Sequence, residues 1–273
     1  MADVAPAVLI TGATSGLGRY LARQLAGSGW QVLAHGRDPA RVADLCAELG
    51  GTRGFVADLA SLGDVRDLAA RITAGAPRVD VLVNNAAVGF GAPGEGRQVS
   101  ADGHELRFAV NYLAPVLLTR LLVPLLTASA PSRVVNVGSI GQAAFDPADA
   151  EFEHGYQGVE AYRRSKLALA AFSFDLAGEL EAAKVTVNCS HPATLMNTAM
   201  VIRSGITPVS TLEQGGEATM RLITDPALDG VTGRFFDGLK IARARPEAYD
   251  PQFRAKLREV TDRMLGDAAS SSG

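Results

Sequence analysis

Val8-Leu9-Ile10-Thr11-Gly12-Ala13-Thr14-Ser15-Gly16-Leu17-Gly18 decides the fold. An apolar run short enough to be a buried strand stops at Thr11-Gly12, and Leu17, Leu21 and Leu25 then recur on one helical face. Strand, glycine-rich elbow and helix in that order open a βαβ unit. Gly12 lets the chain turn sharply, Gly16 admits a backbone close to a pyrophosphate, and Gly18 permits tight packing of helix on sheet. Thr14, Ser15 and Leu17 complete the elbow. The helix that starts there offers free N–H groups and a partial positive charge to an anion.

The pattern continues down the chain. Gln31 to Ala34, Gly54 to Val56, Val79 to Val83, Arg133 to Val137, Val185 to Asn188 and Thr232 to Phe236 are further short apolar runs. Helix-length segments separate them, among them Leu17 to Ser28, Pro39 to Leu49, Leu62 to Thr73 and Ala161 to Ala182. Such alternation makes a parallel sheet covered on both faces, and right-handed crossovers wind it in two directions. The expectation is an α/β chain: a single-domain Rossmann fold with a doubly wound, seven-stranded parallel sheet over residues 1–266, and a disordered tail over 267–273. Phe253, Leu257, Val260 and Leu265 fall at helical spacing, so the segment Pro251 to Leu265 is expected to dock on the domain.

Hydrophobic residues make up 47% and charged residues 20% of the 273, enough to bury a core and too little charge for global disorder. A formal net charge of −3 argues against a generic nucleic-acid or anionic-membrane binder. Two cysteines, Cys46 and Cys189, exclude a disulfide scaffold and a four-cysteine zinc site, and fit a reducing cytoplasm. No cluster has metal-ligand spacing, so no metal is expected. Met1 to Ala7 lacks the basic region of a signal peptide. The most apolar stretch, Val116 to Leu126, is broken by Arg120 and Pro124 and is too short to span a bilayer. A cytoplasmic protein without a membrane span is expected.

The end of the second strand selects the nucleotide. An acidic residue there bonds a ribose 2′-hydroxyl, whereas an arginine accommodates a 2′-phosphate. The sequence reads Ala34-His35-Gly36-Arg37, with Gly36 where the acid would stand and a guanidinium after it. NADP(H) is favoured over NAD(H). The competing reading pairs Arg37 with Asp38 on the surface. Asp58, after the third strand, is placed to accept from an adenine amino group, with Leu59 beside it as ring packing or core.

Tyr162 and Lys166 are one helical turn apart and share a face. An ammonium beside a phenol lowers the phenol pKa toward working pH, which suits Tyr162 as proton donor to a developing alkoxide. Ser139 follows the fifth strand, where a hydroxyl can reach a carbonyl oxygen, and Asn84-Asn85-Ala86 ends the fourth. Asn111 lies in the apolar segment Phe108-Ala109-Val110-Asn111. An asparagine buried there needs a partner, either a water or the backbone.

Together Thr11-Gly-x3-Gly-x-Gly18, Asn84-Asn85-Ala86, Asn111, Ser139 and Tyr162-x3-Lys166 resemble, in order and spacing, the short-chain dehydrogenase/reductases, from Val8 to about Leu265. Phe108-Ala-Val-Asn111-Tyr, the long gap from Ser139 to Tyr162, Ser165-Lys166-Leu167, and Gly233-Arg-Phe-Phe236 before a tail helix look like the retinol-dehydrogenase-like branch. The resemblance implies Tyr162 as proton donor, Lys166 as the residue that binds the nicotinamide ribose and tunes Tyr162, Ser139 as the group that polarises the carbonyl, and Asn111 as holder of a relay water. It implies cofactor contacts from Gly12, Thr14, Ser15, Gly16, Leu17, Gly18, Arg37, Asp58, Leu59, Asn85, Ala86, Tyr162, Lys166, Pro192, Thr194 and Thr198. The chain departs from the family twice. Ala87 stands where a glycine usually follows Asn-Asn-Ala, and His191-Pro192-Ala193 replaces the usual Pro-Gly. In the loop after it, Thr198 is preferred to Thr194 as the hydroxyl offered to the carboxamide or pyrophosphate.

Two segments would lie over the crevice: Gly141 to Ala161, with Phe145, Phe152, His154 and Tyr156, and Ala193 to Leu212, with Met196, Met200, Val201, Ile202 and Ile206. Their apolar residues suit a hydrophobic substrate or else merely pack the lid. The resemblance implies NADPH-dependent, reversible reduction of a ketone or aldehyde to an alcohol. The carbonyl would be hydrophobic: polycyclic, steroid-like, retinoid-like or a secondary metabolite. Two other readings stay open. One is an NADP-binding sensor or scaffold without turnover, against which the presence of both Tyr162 and Lys166 counts. The other is a sugar-nucleotide-type epimerase or dehydratase, against which the three-residue gap from Gly12 to Gly16 counts. A homo-oligomer built on the helices of Asn111 and Tyr162 and a bare monomer both fit.

Overall fold

The computed structural model describes residues 5–92 and 94–266, so the expected tail at 267–273 lies outside the described residues. Seven strands come in the expected places: β1 (Ala7–Ile10), β2 (Gln31–Gly36), β3 (Arg53–Val56), β4 (Val81–Asn84), β5 (Ser132–Val137), β6 (Val185–His191) and β7 (Phe235–Asp237). They pair in parallel in the order β3-β2-β1-β4-β5-β6-β7. The strand order reverses direction between β1 and β4. Open α/β sheets bind ligands at that switch point, outside the carboxyl ends of the strands.

An eighth strand corrects the expected count. At Gly238, whose φ is +55°, the chain folds back, and β8 (Lys240–Ala242) pairs antiparallel with β7, placing Phe236 opposite Ile241. Three residues with one exposed isoleucine carry too little apolar pattern to be read as a strand.

The helices are α1 (Gly16–Gly27), α2 (Pro39–Glu48), α3 (Leu62–Gly75), α4 (Leu106–Phe108), α5 (Ala114–Ala128), α6 (Gly158–Leu180), α7 (Ala199–Arg203), α8 (Leu212–Thr224) and α9 (Pro251–Met264). Alternate residues of the strands serve two cores. Val8 and Ile10 pack with Leu17, Leu21 and Leu25 of α1, whereas Leu9 and Leu82 pack with Leu68 of α3, Leu118 of α5 and Leu169 of α6. Leu21 and Leu25 are fully buried, each contributing about 2 kcal/mol of transfer free energy.

A π turn, Ala109–Leu113, joins α4 to α5 into one helix of 23 residues, Leu106–Ala128. The sequence reading of an apolar stretch too short for a bilayer is corrected here, because this helix is long and apolar enough by length and composition. Its apolarity has a local use: 72% of its most apolar window is buried inside the fold. The terminal segment docks as expected. The Tyr112 hydroxyl meets Thr261 at 2.7 Å, Arg120 pairs with Asp262, and Arg254 pairs with Asp175 of α6.

Candidate active site

The glycine elbow is gripped from both neighbouring strands. Gly12 and Gly16 hold φ of +66° and +50°, a region that only glycine enters without strain. A Cβ on Gly18 would lie 2.2 Å from the Gly12 carbonyl oxygen, so helix and elbow touch backbone to backbone. From β4, Asn85 donates its amide to the carbonyls of Thr11 (2.8 Å) and Gly12 (3.3 Å), and the Thr11 hydroxyl receives the N–H groups of Asn85 and Ala86. Asn85 thus fixes the elbow with its side chain. From β2, buried His35 accepts the Gly12 N–H at Nδ1 (3.2 Å), with Nε2 against the Ala57 carbonyl (3.1 Å). The sequence reading missed His35. A titratable residue in the otherwise apolar Gln31-Val-Leu-Ala-His-Gly36 was the signal, since a buried polar ring needs partners.

The residues present fit an anion. Ser15 caps α1 in extended geometry with no side-chain bond to the first turn, and that turn has no acidic residue, leaving its N–H groups to a phosphate. Thr198 sits over the elbow, its methyl 3.4 Å from a Cβ built on Gly16, while Thr194 is tied to His191 at 3.0 Å. Pro192 and Thr194 line a cavity of about 300 Å³ with Gln214, Glu217 and Asp237. Leu195, in the same loop, holds a φ of +46°, a strained conformation for a leucine.

The rim of β2 carries cations. Arg37 is exposed, and among the described residues it has no hydrogen-bond or ion-pair partner. The expected competing pair with Asp38 is not formed, because Asp38 caps α2 through the N–H groups of Ala40 and Arg41. Arg41, a second guanidinium the sequence reading missed, bonds the Thr14 carbonyl at 3.3 Å. A Cβ on Gly36 would lie 2.6 Å from the Thr14 methyl and 2.9 Å from a Val42 methyl, so space opposes an acid, or any side chain, there. Asp58 is exposed and accepts the Ala60 N–H, while Leu59 lies in the core.

Ser139, Tyr162 and Lys166 converge at the ends of β5 and the start of α6. The Ser139 hydroxyl accepts the Gly141 N–H at 3.0 Å and stands near enough to the Tyr162 phenol to act on its ionisation. The Lys166 ammonium donates to the Val137 carbonyl at 2.8 Å and lies 5.6 Å from the centroid of the Tyr162 ring. The expected direction of the Tyr162 shift is corrected. Burial pushes the phenol pKa up, and the Ser139 hydroxyl offsets part of the rise. Burial also lowers Lys166 to about 8, because a desolvated ammonium is disfavoured. The phenol therefore keeps its proton at neutral pH.

Asn111 is buried in the π turn. Its two amide hydrogens go to the Val88 carbonyl (3.0 Å) and the Ser165 hydroxyl (3.1 Å), and its oxygen accepts the Val88 N–H (2.7 Å). The side chain thus bonds the Val88 backbone and also the Ser165 hydroxyl, a side-chain partner the sequence reading did not foresee. Below it, buried Arg107 donates Nε to the Gly89 carbonyl (2.8 Å) and Nη1 to the Tyr156 hydroxyl (2.5 Å), which in turn donates to buried Glu105 (2.8 Å). These bonds hold the Val88–Phe90 wall, and Phe90 stands edge-on to Tyr162 with ring centroids 4.6 Å apart. The sequence reading missed both Arg107 and Phe90.

The two expected lid segments divide. Phe145 and Phe152 pack with Phe108 and Phe253 in an aromatic cluster, and Tyr156 serves the Glu105–Arg107 pair, so these residues are structural. His154 is exposed. Met200 of α7 lies against Gly89, where a Cβ would be 2.4 Å from it, so this segment does border the Phe90 wall.

The family model described as short chain dehydrogenase matches residues 6–207. The chain belongs to the short-chain dehydrogenase/reductase family. This short-chain dehydrogenase is 36% identical to retinol dehydrogenase 14 of Mus musculus over 95% of this chain and 85% of that protein. Among solved structures it resembles the Pseudomonas aeruginosa RhlG/NADP active-site complex, with a TM-score of 0.71, 28% identity, and 86% and 95% of the two chains covered. The 3-ketoacyl-(acyl-carrier-protein) reductase from Brucella melitensis complexed with NADH shares the fold, with a TM-score of 0.69 and 24% identity over 85% and 96% of the two chains. The short-chain dehydrogenase is thus an oxidoreductase of a kind that uses NAD(P)(H).

Proposed function

We propose that this oxidoreductase uses NADP(H) to reduce the carbonyl of a hydrophobic ketone or aldehyde. The observation that carries the reading is the Ser139–Tyr162–Lys166 constellation beside the elbow. Ser139 orients the carbonyl oxygen, and Tyr162 holds the proton at its hydroxyl. Lys166, fixed by Val137, presents its charge to the phenol ring and the ribose side of the crevice. Asn111 holds a relay water as an acceptor, because its amide hydrogens are spent on Val88 and Ser165. The cofactor, when bound, supplies the hydride. A phenol protonated at neutral pH is in the state that a proton donor to the developing alkoxide requires.

Support for NADP(H) comes from Arg37, beside a Gly36 position closed to acids, with Arg41 close by on α2. Thr14, Ser15, Gly16, Leu17, Gly18, Pro192 and Thr198 are the proposed pyrophosphate and nicotinamide contacts, and Gly12 makes the turn that lets the nucleotide approach. Support for an apolar substrate comes from the surface. Among the described residues, five of the nine exposed large hydrophobics are Ile140, Val159, Ile202, Ile206 and Val209, next to Ser139, in the first turn of α6, and on α7 and the loop after it. Free Cys46 and Cys189 and the burial of the long apolar helix support a cytoplasmic location. The test is a panel of aliphatic, aromatic and polycyclic ketones with NADPH, followed by loss of the reduced nicotinamide absorbance. Turnover that favours the larger apolar carbonyls is expected. No oxidation of NADPH with any of them, or turnover confined to polar carbonyls, overturns the substrate class.

A further inference from the structure

We propose that His35 is a positioning residue of the nucleotide site, a splint of fixed tautomer that ties the glycine elbow to the end of β3 and removes the first elbow amides from phosphate binding. The proposal rests on the reading of the elbow as that site. Gly12 can donate its N–H to the ring only if Nδ1 is unprotonated, so Nε2 carries the hydrogen and donates it to Ala57. The next amide, that of Ala13, is taken by the His35 carbonyl at 2.8 Å. The residue thus uses both side chain and backbone on two consecutive elbow amides. An anion must therefore draw its donors from the N–H groups after Ala13, nearer the uncapped first turn of α1.

The tautomer is protected. The ring is buried, and desolvation lowers its pKa to about 4. Of the charged groups that face it, Asp58 from the β3–α3 connection favours the cation and Arg71 from α3 opposes it. Protonation would set an N–H against the Gly12 N–H and break the splint. At working pH the ring therefore remains an acceptor. The opposite face of Gly12 is held by Asn85 from β4, so the elbow is clamped by the strands on either side of β1.

Asparagine places an acceptor where Nδ1 stands and cannot titrate, so His35→Asn is the conservative rescue and His35→Ala the disruptive change. Two measurements on the full chain decide. Amide exchange of Gly12, followed by NMR without cofactor, is expected to be slow in the wild type and in His35→Asn and to quicken at least tenfold in His35→Ala. NADPH titration by nicotinamide fluorescence is expected to give a Kd roughly tenfold weaker for His35→Ala and within threefold of wild type for His35→Asn. Gly12 exchange that is the same in wild type and His35→Ala overturns the splint, as does ring NMR showing the hydrogen on Nδ1. If His35→Ala does not fold, the ring tautomer and the rescue in His35→Asn decide alone. A wild-type chain that takes up neither NADPH nor NADH overturns the nucleotide site itself, and Gly12 exchange still decides the splint.

Discussion

Replacing Arg107 by methionine should destabilise the protein far more than a typical substitution. Arg107 is 1% exposed and Glu105 is fully buried, and their charged atoms are 3.6 Å apart. Methionine fills much of the arginine volume, so the loss is electrostatic rather than a cavity. It leaves the Glu105 carboxylate buried with only the Tyr156 hydroxyl and the Phe108 N–H as partners. An uncompensated buried charge costs about 3–5 kcal/mol. For a chain of this size each kcal/mol moves Tm by about 2–4 °C, so Arg107→Met should melt roughly 6–20 °C lower. Removing the second charge as well, by Glu105→Gln, should recover much of this, because the neutral amide oxygen can still accept from Tyr156 or Phe108. The assay is urea unfolding and thermal melting of Arg107→Met and of Glu105→Gln/Arg107→Met. If the single variant loses less than about 1 kcal/mol, or the double variant is no more stable than the single, the pair does not bear on the fold as argued.

Tyr162→Phe should bind NADPH as the wild type does and lose turnover by roughly 10²- to 10⁴-fold, the usual worth of a positioned proton donor, as read by stopped absorbance assays. Arg37→Ala should weaken NADPH by about tenfold or more and leave NADH nearly unchanged in parallel fluorescence titrations; equal weakening would refute a 2′-phosphate contact. Lys166 carries a pH signature. Its pKa falls from 10.5 to about 8 on folding, so between those values the unfolded chain binds more protons and this group makes stability rise with pH. Its burial penalty is fully present below pH 8. Lys166→Met should therefore be more stable at pH 7 by roughly 2 kcal/mol and lack that rise, as measured by urea unfolding across pH 7 to 10.

The elbow was legible in the sequence because its logic is local: three glycines, an apolar strand before them and a helical period after. Tyr162 and Lys166 were legible for the same reason, since one helical turn fixes their common face. The direction of the Tyr162 shift was not, because spacing shows a neighbouring ammonium but says nothing of desolvation, and the ammonium is drawn to Val137. Phe145 and Phe152 read as a lid until Phe253, more than ninety residues on, is seen to close the cluster. Asn111 and His35 were incompletely read for one reason. A polar residue in an apolar run announces that it needs a partner but does not say which, and the partners here come from other strands and loops. The hairpin at β8 escaped because three residues carry no period.

The last helix sets the timetable by which the chain can finish folding. Tyr112 and Thr261, which share a buried hydrogen bond, are 149 residues apart, and Arg66 reaches the Leu265 carbonyl across 199. While the chain is being synthesised, the first six strands and Tyr162 emerge long before the segment that seals the helices beneath them. Until that segment has emerged, the apolar flank has no cover of its own, and completion waits on contacts of very long range.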